Sequence, residues 1–204
     1  MTVRDVVQAA TAIAGEGVDA VTMSAVARRL GVTPMALYQH VRDKEHLLTL
    51  MMDSLLERIE VPPRSAGSWD VRLRRFHLEV TAAMAACPGL ASSRGRPTAR
   101  EVPRLLEGYL QILLDAGFSP SDAARAYTGL YFLAMGADHR HAGYASPAMA
   151  PPAHEGLPAT EAISAASAGV TRAQWQEAAL DIYLDGLRAQ RRRVARARRG
   201  DGGA

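Results

Sequence analysis

Residues 22–44 read TMSAVARRLGVTPMALYQHVRDK, and this stretch decides the fold. Thr22 is a good N-cap for one helix, and Gly31 is a good residue to end it. Thr33 follows closely as a second N-cap, with Pro34 in the first helical position, where proline is tolerated. Two short helices joined by a tight turn that contains glycine are typical of a helix-turn-helix.

The short helix after Thr33 has an outer face that suits recognition. If Leu37 and Val41 point inward, steps of roughly 100° per residue turn Met35 and Gln39 outward. The residues beside them are Ala36, Tyr38 and His40. This face suits a DNA major groove, where Gln can read adenine and apolar groups can touch a thymine methyl. The alternative is an ordinary solvated helix face.

Lys44 is the only lysine among 24 basic residues. It follows Asp43, the predicted N-cap of a further helix, where the helix dipole favours anions over cations. A lysine is well placed there if the anion is external, such as a DNA phosphate, and Thr22 could donate to another phosphate. The alternative is an ion pair with Asp43, Glu45 or a more distant acid. Residues 22–44 carry a charge of +3 and residues 1–60 a charge of −2, so positive charge is concentrated near the proposed face.

Composition predicts an all-α, cytoplasmic protein. The 204 residues are 48% hydrophobic, with little alternation of the kind that strands show. No apolar run reaches the roughly 18 residues of a membrane span, no signal peptide is evident, and the single Cys87 fits a reducing compartment. The net charge of +3 comes from seven arginines in residues 188–199, and residues 1–187 carry −3. This basic tail either binds nucleic acid nonspecifically or is a solvated helix end.

Further helices are predicted by apolar spacing and by turn residues. They span about 69–86, 101–116, 121–138 and 172–192. Thr2 with Asp5, and Thr171 with Gln174, form capping boxes. Residues 142–159 carry four prolines and two glycines, which predicts a long irregular loop.

The stretch from Thr22 to Lys44 resembles the DNA-binding domain of the tetracycline-repressor (TetR) family. The shared features are the Thr-led helix, the Leu-Gly-Val turn, the Leu-Tyr-x-His-Val phrase and a Lys followed by a Leu pair. The likeness covers about residues 3–60, and DAGFSP at 115–120 resembles a link in that family's C-terminal domain. The resemblance implies a three-helix helix-turn-helix domain at 1–46. It also implies a helical effector-binding and dimerisation domain at 47–192, and we expect a disordered basic tail at 193–204.

The resemblance also implies roles for single residues. Thr22 and Lys44 would contact phosphate, while Tyr38 and His40 would contact backbone or bases. The residues facing base edges would be Ser24, Met35, Ala36 and Gln39, and Thr33, the cap of the reading helix, completes the predicted DNA contacts. The tetracycline repressor itself has arginine at the place of Ser24 and tryptophan at that of Gln39, so a different operator is expected. The basic N-terminal arm of many relatives is missing, since only three residues precede Arg4.

The C-terminal region offers polar and aromatic candidates for a mostly apolar ligand pocket. They are His77, Tyr109, Tyr127, Tyr131, Phe132 and His139. Each alone is as well explained by packing in the core. The sequence DHRH at 138–141 is a poor metal site, because the intervening arginine is cationic and supporting ligands are not obvious. No metal or cofactor is expected.

Two helices carry stripes that suit dimerisation. One stripe is Ala124, Tyr127, Tyr131 and Ala134, and the other is Trp175, Ala179, Ile182 and Gly186. The resemblance implies that these helices form a four-helix bundle with their copies in a second subunit. The alternative is that both stripes belong to the internal core.

The resemblance implies a ligand-responsive repressor, a homodimer released from a palindromic DNA operator by a small-molecule effector. No nucleophile elbow, P-loop or dinucleotide fingerprint appears, and Cys87 lacks a nearby His, so an enzyme is not expected. One alternative is a helical small-molecule-binding protein or enzyme whose helix-turn-helix does not read DNA. Another is an architectural DNA-binding protein with no effector.

Overall fold

The computed structural model describes residues 1–87, 89–90, 100–138 and 157–200, and this part of the chain contains helices and no strand. The all-α prediction is therefore confirmed. The helices are α1 (Val3–Ala14), α2 (Met23–Leu30), α3 (Pro34–Leu37), α4 (Lys44–Leu56), α5 (Trp69–Ala85), α6 (Glu101–Asp115), α7 (Pro120–Asp138), α8 (Pro158–Ser167) and α9 (Arg172–Gly200). None of the helices in these ranges has the length and apolar character that crossing a membrane requires. The chain divides into two compact units, Met1–His139 and Arg140–Ala204.

The first unit begins with α1, whose start is fixed by a reciprocal cap. The Thr2 amide donates to Asp5 Oδ2 at 2.7 Å, and the Asp5 amide donates to Thr2 Oγ1 at 3.2 Å. The predicted capping box is thus confirmed. Val6 and Ala10 are fully buried on the face of α1 that packs against α2 and α4. The N-terminal helices therefore share one small core.

The turn between α2 and α3 depends on Gly31. Its φ of +67° lies in the left-handed region, which costs glycine nothing and strains other residues. The next amide, from Val32, donates back to Ala27 O at 3.0 Å and closes the helix end. α3 is only four residues long, and its Leu37 is fully buried, as is Val41 in the turn beyond it, which confirms their predicted inward orientation. A helix this short is held by its neighbours rather than by its own hydrogen bonds.

α4 packs on α1, α5 and α6, so it is shared between the N-terminal helices and the rest of the first unit. It spans the predicted boundary between residues 46 and 47. At its far end Arg104 of α6 donates from Nη1 to Ile59 O and from Nη2 to Leu56 O, both at 2.9 Å. In return Asp53 Oδ1 of α4 accepts the Glu101 amide at 3.1 Å, in the first turn of α6. We call these contacts the α4–α6 clasp.

The second unit contains α8 and α9 in its described part. The predicted capping box is confirmed, since the Thr171 amide donates to Gln174 Oε1 at 2.7 Å and the Gln174 amide to Thr171 Oγ1 at 3.3 Å. α9 continues beyond the predicted end at 192 to Gly200, so the basic segment expected to be disordered is helical up to that residue. Arginine and alanine are both good helix formers, which explains the extension.

α8 has no counterpart among the predicted helices. Its sequence, PATEAISAAS, is made mostly of small residues, whose apolar periodicity is weak. The predicted loop at 142–159 lies outside the described residues except for its last three, and α8 already begins at Pro158.

A close approach of backbone to side chain joins α5 and α6 at Gly108. A Cβ built on Gly108 would lie 2.5 Å from Val61 Cγ2 and 3.1 Å from Phe76 Cζ. Phe76 is fully buried, with its ring centroid 4.6 Å from that of Tyr109. Glycine at this position therefore permits the packing of the aromatic core.

We predict that Gly108→Ala lowers the free energy of unfolding by about 1 kcal/mol. Overpacking costs about 1–3 kcal/mol, and the better helix propensity of alanine returns up to about 1. Urea unfolding followed by circular dichroism measures the change. The matched control is Gly15→Ala, because Gly15 has a right-handed φ of −56° and its nearest contact would be at 3.9 Å. Equal midpoints for the two variants would contradict the close approach.

Candidate DNA-binding surface and ligand cavity

The predicted reading residues lie on α2 and α3 or at their N-caps, in the turn 38–40 that follows α3, and at the start of α4, and none of them is buried. Met35, within α3, is 75% exposed, and Tyr38, directly after α3, is 51% exposed, while Leu37 closes the inner side of this short helix. The exposed residues of the predicted set also include Thr22, Ser24, Thr33 and Gln39, while Ala36, His40 and Lys44 are half-buried. The helix-turn-helix thus presents a mixed face of apolar, amide and hydroxyl groups to the outside.

The two threonine caps are oriented to serve an external anion as well as their own helices. Thr22 Oγ1 accepts the Ala25 amide at 3.1 Å, and Thr33 Oγ1 accepts the Ala36 amide at 3.4 Å. A hydroxyl that accepts in this way keeps its own hydrogen for donation. Both side chains are exposed, so this donor is available to a phosphate oxygen beside a helix N-terminus.

Lys44 occupies the first position of α4, and the cap around it is already satisfied. Asp43 Oδ1 accepts the His46 amide at 2.7 Å, and His46 Nδ1 accepts the Arg42 amide at 3.2 Å. Within the described part of the chain, Lys44 forms no ion pair, so the alternative of an internal partner such as Asp43 or Glu45 gains no support. The role of His46 was not predicted, although a side-chain acceptor three residues after an Asp N-cap is the signal for it.

A cavity of about 190 Å³ lies in the first unit, among α4, α5, α6 and α7. Four of the predicted ligand residues line it: His77, Tyr109, Tyr127 and Tyr131. Phe132 does not, because it turns to the outside of α7 and is 67% exposed, and His139 lies outside the described residues. The lining residues that sequence reasoning missed are aliphatic or methionine: Met52, Leu56, Val80, Met84, Val102, Leu105, Leu106, Leu130, Ala134 and Met135.

The polar centre of the cavity is a pair of neutral side chains. His77 Nδ1 lies 3.2 Å from the Tyr109 hydroxyl, and both residues are buried. Burial lowers the pKa of His77 to about 4, and it raises the pKa of Tyr109 above its ordinary value. At neutral pH the imidazole is therefore uncharged and the phenol keeps its proton.

The described part of the chain gives no support for metal binding or for a cysteine nucleophile. No group of three His, Cys, Asp or Glu side chains lies close enough there to hold a metal ion. Burial raises the pKa of the Cys87 thiol to about 11, so this cysteine stays protonated and is a poor nucleophile.

One helix joins the DNA-binding surface to the cavity. α4 begins at Lys44, and near its other end Met52 and Leu56 line the cavity. The α4–α6 clasp ties the same end to α6, which contributes Tyr109 to the cavity wall. A ligand in the cavity would therefore contact α4, the helix whose first turn carries Lys44, the candidate phosphate-binding residue.

Comparison with known proteins agrees with this architecture. Residues 2–51 match the model of bacterial regulatory proteins of the tetR family. The tetracycline repressor protein class A from transposon 1721 of Escherichia coli is 33% identical over 140 residues, which are 65% of this chain. The match spans 63% of that repressor, less than two thirds of its length.

Solved structures extend the likeness over most of the chain. A possible TetR family transcriptional regulator from Streptomyces coelicolor A3(2) superposes with a TM-score of 0.78 at 25% identity, over 92% of this chain and 98% of that one. The Streptomyces coelicolor TetR family protein ActR in complex with (S)-DNPA gives a TM-score of 0.67 at 24% identity, over 93% and 98% of the two chains, a likeness of fold.

The family model matches the segment that carries the helix-turn-helix, and the structural likeness includes the helices that enclose the cavity. Members of this family are DNA-binding and ligand-binding regulators rather than enzymes. Residues 2–51 therefore belong by sequence to the TetR family of transcriptional regulators, and the chain has the fold of solved structures from that family over most of its length.

Proposed function

We propose that this protein is a repressor that binds a palindromic operator as a homodimer and leaves it when a small molecule occupies the cavity. The observation that carries the proposal is α4, which begins at Lys44 and ends against the cavity. A ligand that prefers one placement of α4 shifts the protein toward that placement, by no more than its differential affinity for the two states. Operator binding would take place in the cytoplasm.

The proposed DNA contacts are those that the family resemblance implies, and the positions of Thr22, Thr33 and Lys44 at helix starts support them. Lys44 and Thr22 bind phosphate, and Tyr38 and His40 bind the backbone or bases. The proposed contacts with base edges are Ser24, Met35, Ala36 and Gln39, with Thr33 at the cap of the reading helix. This division assigns position to the charged and hydroxyl groups and sequence preference to the amide and apolar groups.

We propose that α7 and α9 each contribute an exposed face to dimerisation. On α7, three of the four predicted stripe residues, Tyr127, Tyr131 and Ala134, line the cavity. The face left for a partner holds Phe132 and Gly136, both exposed. On α9, Ile182 is 75% exposed, an unusual position for a large aliphatic side chain, and supports the predicted stripe.

The competing functions explain less of the structure. A small-molecule carrier or enzyme needs the cavity but gives no reason for a lysine at the start of α4 that forms no ion pair within the described ranges. An architectural DNA-binding protein needs the lysine but no cavity. The proposed function uses both, and it agrees with the ActR crystal structure, which contains a small molecule.

Selection of bound fragments from a random duplex pool tests sequence reading and dimerisation together. We expect one palindrome to be enriched, with half-site centres about 10 base pairs apart, or roughly 34 Å, because two symmetric reading helices enter successive major grooves. Moderate salt suppresses nonspecific binding by the arginines of α9. Enrichment of a single half-site would contradict the dimer, and no enrichment by folded protein would contradict operator reading.

We predict that Lys44→Ala weakens binding to the selected duplex and lowers the slope of log K against log salt. Each lost phosphate contact reduces that slope by about 0.9 on B-DNA. Fluorescence anisotropy titrations at several salt concentrations measure both quantities. The control is Arg58→Ala, which removes the same charge from an exposed residue outside the proposed contacts. If the two variants have the same slope, Lys44 does not bind a phosphate.

Coupling between cavity and DNA can be tested without knowing the effector. Ala134→Trp fills the cavity from α7, and we predict that it weakens operator binding by about tenfold, in the range of typical coupling energies. Ala82→Trp is the matched control, since it adds the same indole to an exposed position of α5 that neither lines the cavity nor lies on the proposed dimer faces. Thermal melts confirm that both variants fold.

The same pair of variants tests the α4–α6 clasp. Added to Ala134→Trp, Arg104→Met removes the two hydrogen bonds to α4 and should restore part of the operator affinity. Arg75→Met is the control, because Arg75 pairs with Glu79 on the surface of α5. Equal losses for Ala134→Trp and Ala82→Trp would separate the cavity from DNA binding and contradict the proposed release.

A further inference from the structure

We infer that the cavity takes a neutral, largely aromatic molecule carrying a hydrogen-bond acceptor such as a ketone, and that the His77–Tyr109 pair is its polar contact. This inference rests on the proposed function, because it names the chemical class of the effector. The reasons are the charge of the lining, its aromatic wall, the free hydrogen-bonding capacity of the pair, and the size of the cavity.

The lining carries no charged side chain among the described residues. Its polar atoms belong to one imidazole and three phenols, and the remaining side chains are aliphatic or methionine. A carboxylate or ammonium group placed here would lose its hydration without gaining an ionic partner, which is strongly unfavourable. Burial already keeps His77 neutral, so it does not supply a cation for an acidic ligand.

An aromatic wall runs along one side of the cavity. The ring centroids of Tyr109 and Tyr127 are 5.7 Å apart, and those of Tyr127 and Tyr131 are 6.4 Å apart. These spacings fall in the range of favourable aromatic contacts, and a planar ligand can join such a series by stacking or by edge contacts. Met52, Met84 and Met135 also line the cavity, and thioethers pack well against ring edges.

The His77–Tyr109 hydrogen bond leaves a donor free whichever way it is oriented. If Tyr109 donates to Nδ1, the neutral imidazole carries its proton on Nε2. If Nδ1 donates, the Tyr109 hydroxyl hydrogen is left over. No second hydrogen bond of either side chain to a described residue competes for this donor. Once a ligand excludes water from the cavity this donor needs an acceptor, and a ligand carbonyl is the neutral group that supplies one.

The part of the cavity that the described residues line has room for a molecule of one or two rings. Its volume of about 190 Å³ is slightly larger than the roughly 150 Å³ cavity that accommodates benzene in an engineered protein. Tetracycline, for which the class A relative is named, is a four-ring molecule with many polar groups. Four polar side chains in an otherwise apolar lining do not satisfy those groups, so this chain is expected to prefer a smaller and less polar effector.

Three naphthalenes of matched shape test the inference directly. They are 2-acetylnaphthalene, 2-isopropylnaphthalene and 2-naphthoate, which place a ketone, a hydrocarbon and an anion on the same ring. Isothermal titration of the full chain at neutral pH measures binding, with tetracycline as a fourth probe. We expect the ketone to bind at least about tenfold more tightly than naphthoate, and several-fold more tightly than the hydrocarbon, as one net hydrogen bond predicts.

Variants separate the hydrogen bond from simple packing. His77→Leu and Tyr109→Phe should each reduce the preference for ketone over hydrocarbon while still binding the hydrocarbon. Tyr183→Phe is the control, since it removes a hydroxyl from a tyrosine outside the lining. A structural role of the pair would weaken both probes equally, and that result would overturn its assignment as the polar contact.

The remaining outcomes decide the ligand class apart from the proposed function. Tighter binding of naphthoate or tetracycline than of the ketone would overturn the inference, as would no ketone binding below about 1 mM. An anisotropy titration of the selected duplex is run with and without saturating ketone. If the ketone binds with the expected preferences but leaves DNA affinity unchanged, the ligand class stands and the proposed release fails.

Discussion

The reciprocal hydrogen bonds between α4 and α6 are the constraint on which the first unit depends. A helix end leaves carbonyls without intrahelical partners, and the Arg104 guanidinium donates to the carbonyl oxygen of Leu56, the last residue of α4, and to that of Ile59 just beyond it. Its positive charge also suits the negative end of the α4 dipole. At the start of α6 the Asp53 carboxylate accepts a hydrogen bond from the Glu101 amide, and its negative charge suits the positive end of the α6 dipole. Each helix thus completes the other, and neither can move alone without exposing polar backbone groups.

Because of this constraint, the two ends of α4 differ in how their polar and charged groups are satisfied. The far end is satisfied by protein groups, whereas the first turn carries Lys44, a cation beside a dipole that repels it. Asp43 and His46 supply the local cap, so the lysine is not required for the helix to begin. An external phosphate would remove the electrostatic penalty at the first turn. Binding of DNA and retention of the helix start would then stabilise one another through a single helix.

The N-terminal architecture was readable from sequence because its signals are local. N-caps at Thr2, Thr22 and Thr33, and a left-handed glycine at 31, each act within four residues, and the structure contains all of them. The inward positions of Leu37 and Val41 follow from helical spacing alone. Residues 22–44 combine several such signals, so the family resemblance was visible there first.

Only part of the cavity lining can be predicted from the sequence, because its wall is built from contacts between distant parts of the chain. Four polar or aromatic residues were anticipated by type, but the methionine and leucine lining is indistinguishable in sequence from ordinary core. Phe132 was misplaced because residue type alone does not say which side of α7 faces inward, and Tyr131 beside it lines the wall. The clasp is likewise invisible, since Arg104 and Leu56 are 48 residues apart.

The part of the cavity wall that the structure describes carries no charged side chain, and this limits the contacts through which an effector can act. A neutral ligand contributes mostly through buried apolar area and one hydrogen bond, so its differential affinity for two placements of α4 depends on shape more than on charge. Shape acts where the wall is least able to yield, and the clasp fixes the end of α4 beside Met52 and Leu56. A ligand that fits only after α6 shifts must therefore carry α4 with it. Because the α4–α6 clasp holds the end of α4 rigidly, binding of a small, uncharged ligand would shift α4 and so change the affinity for DNA.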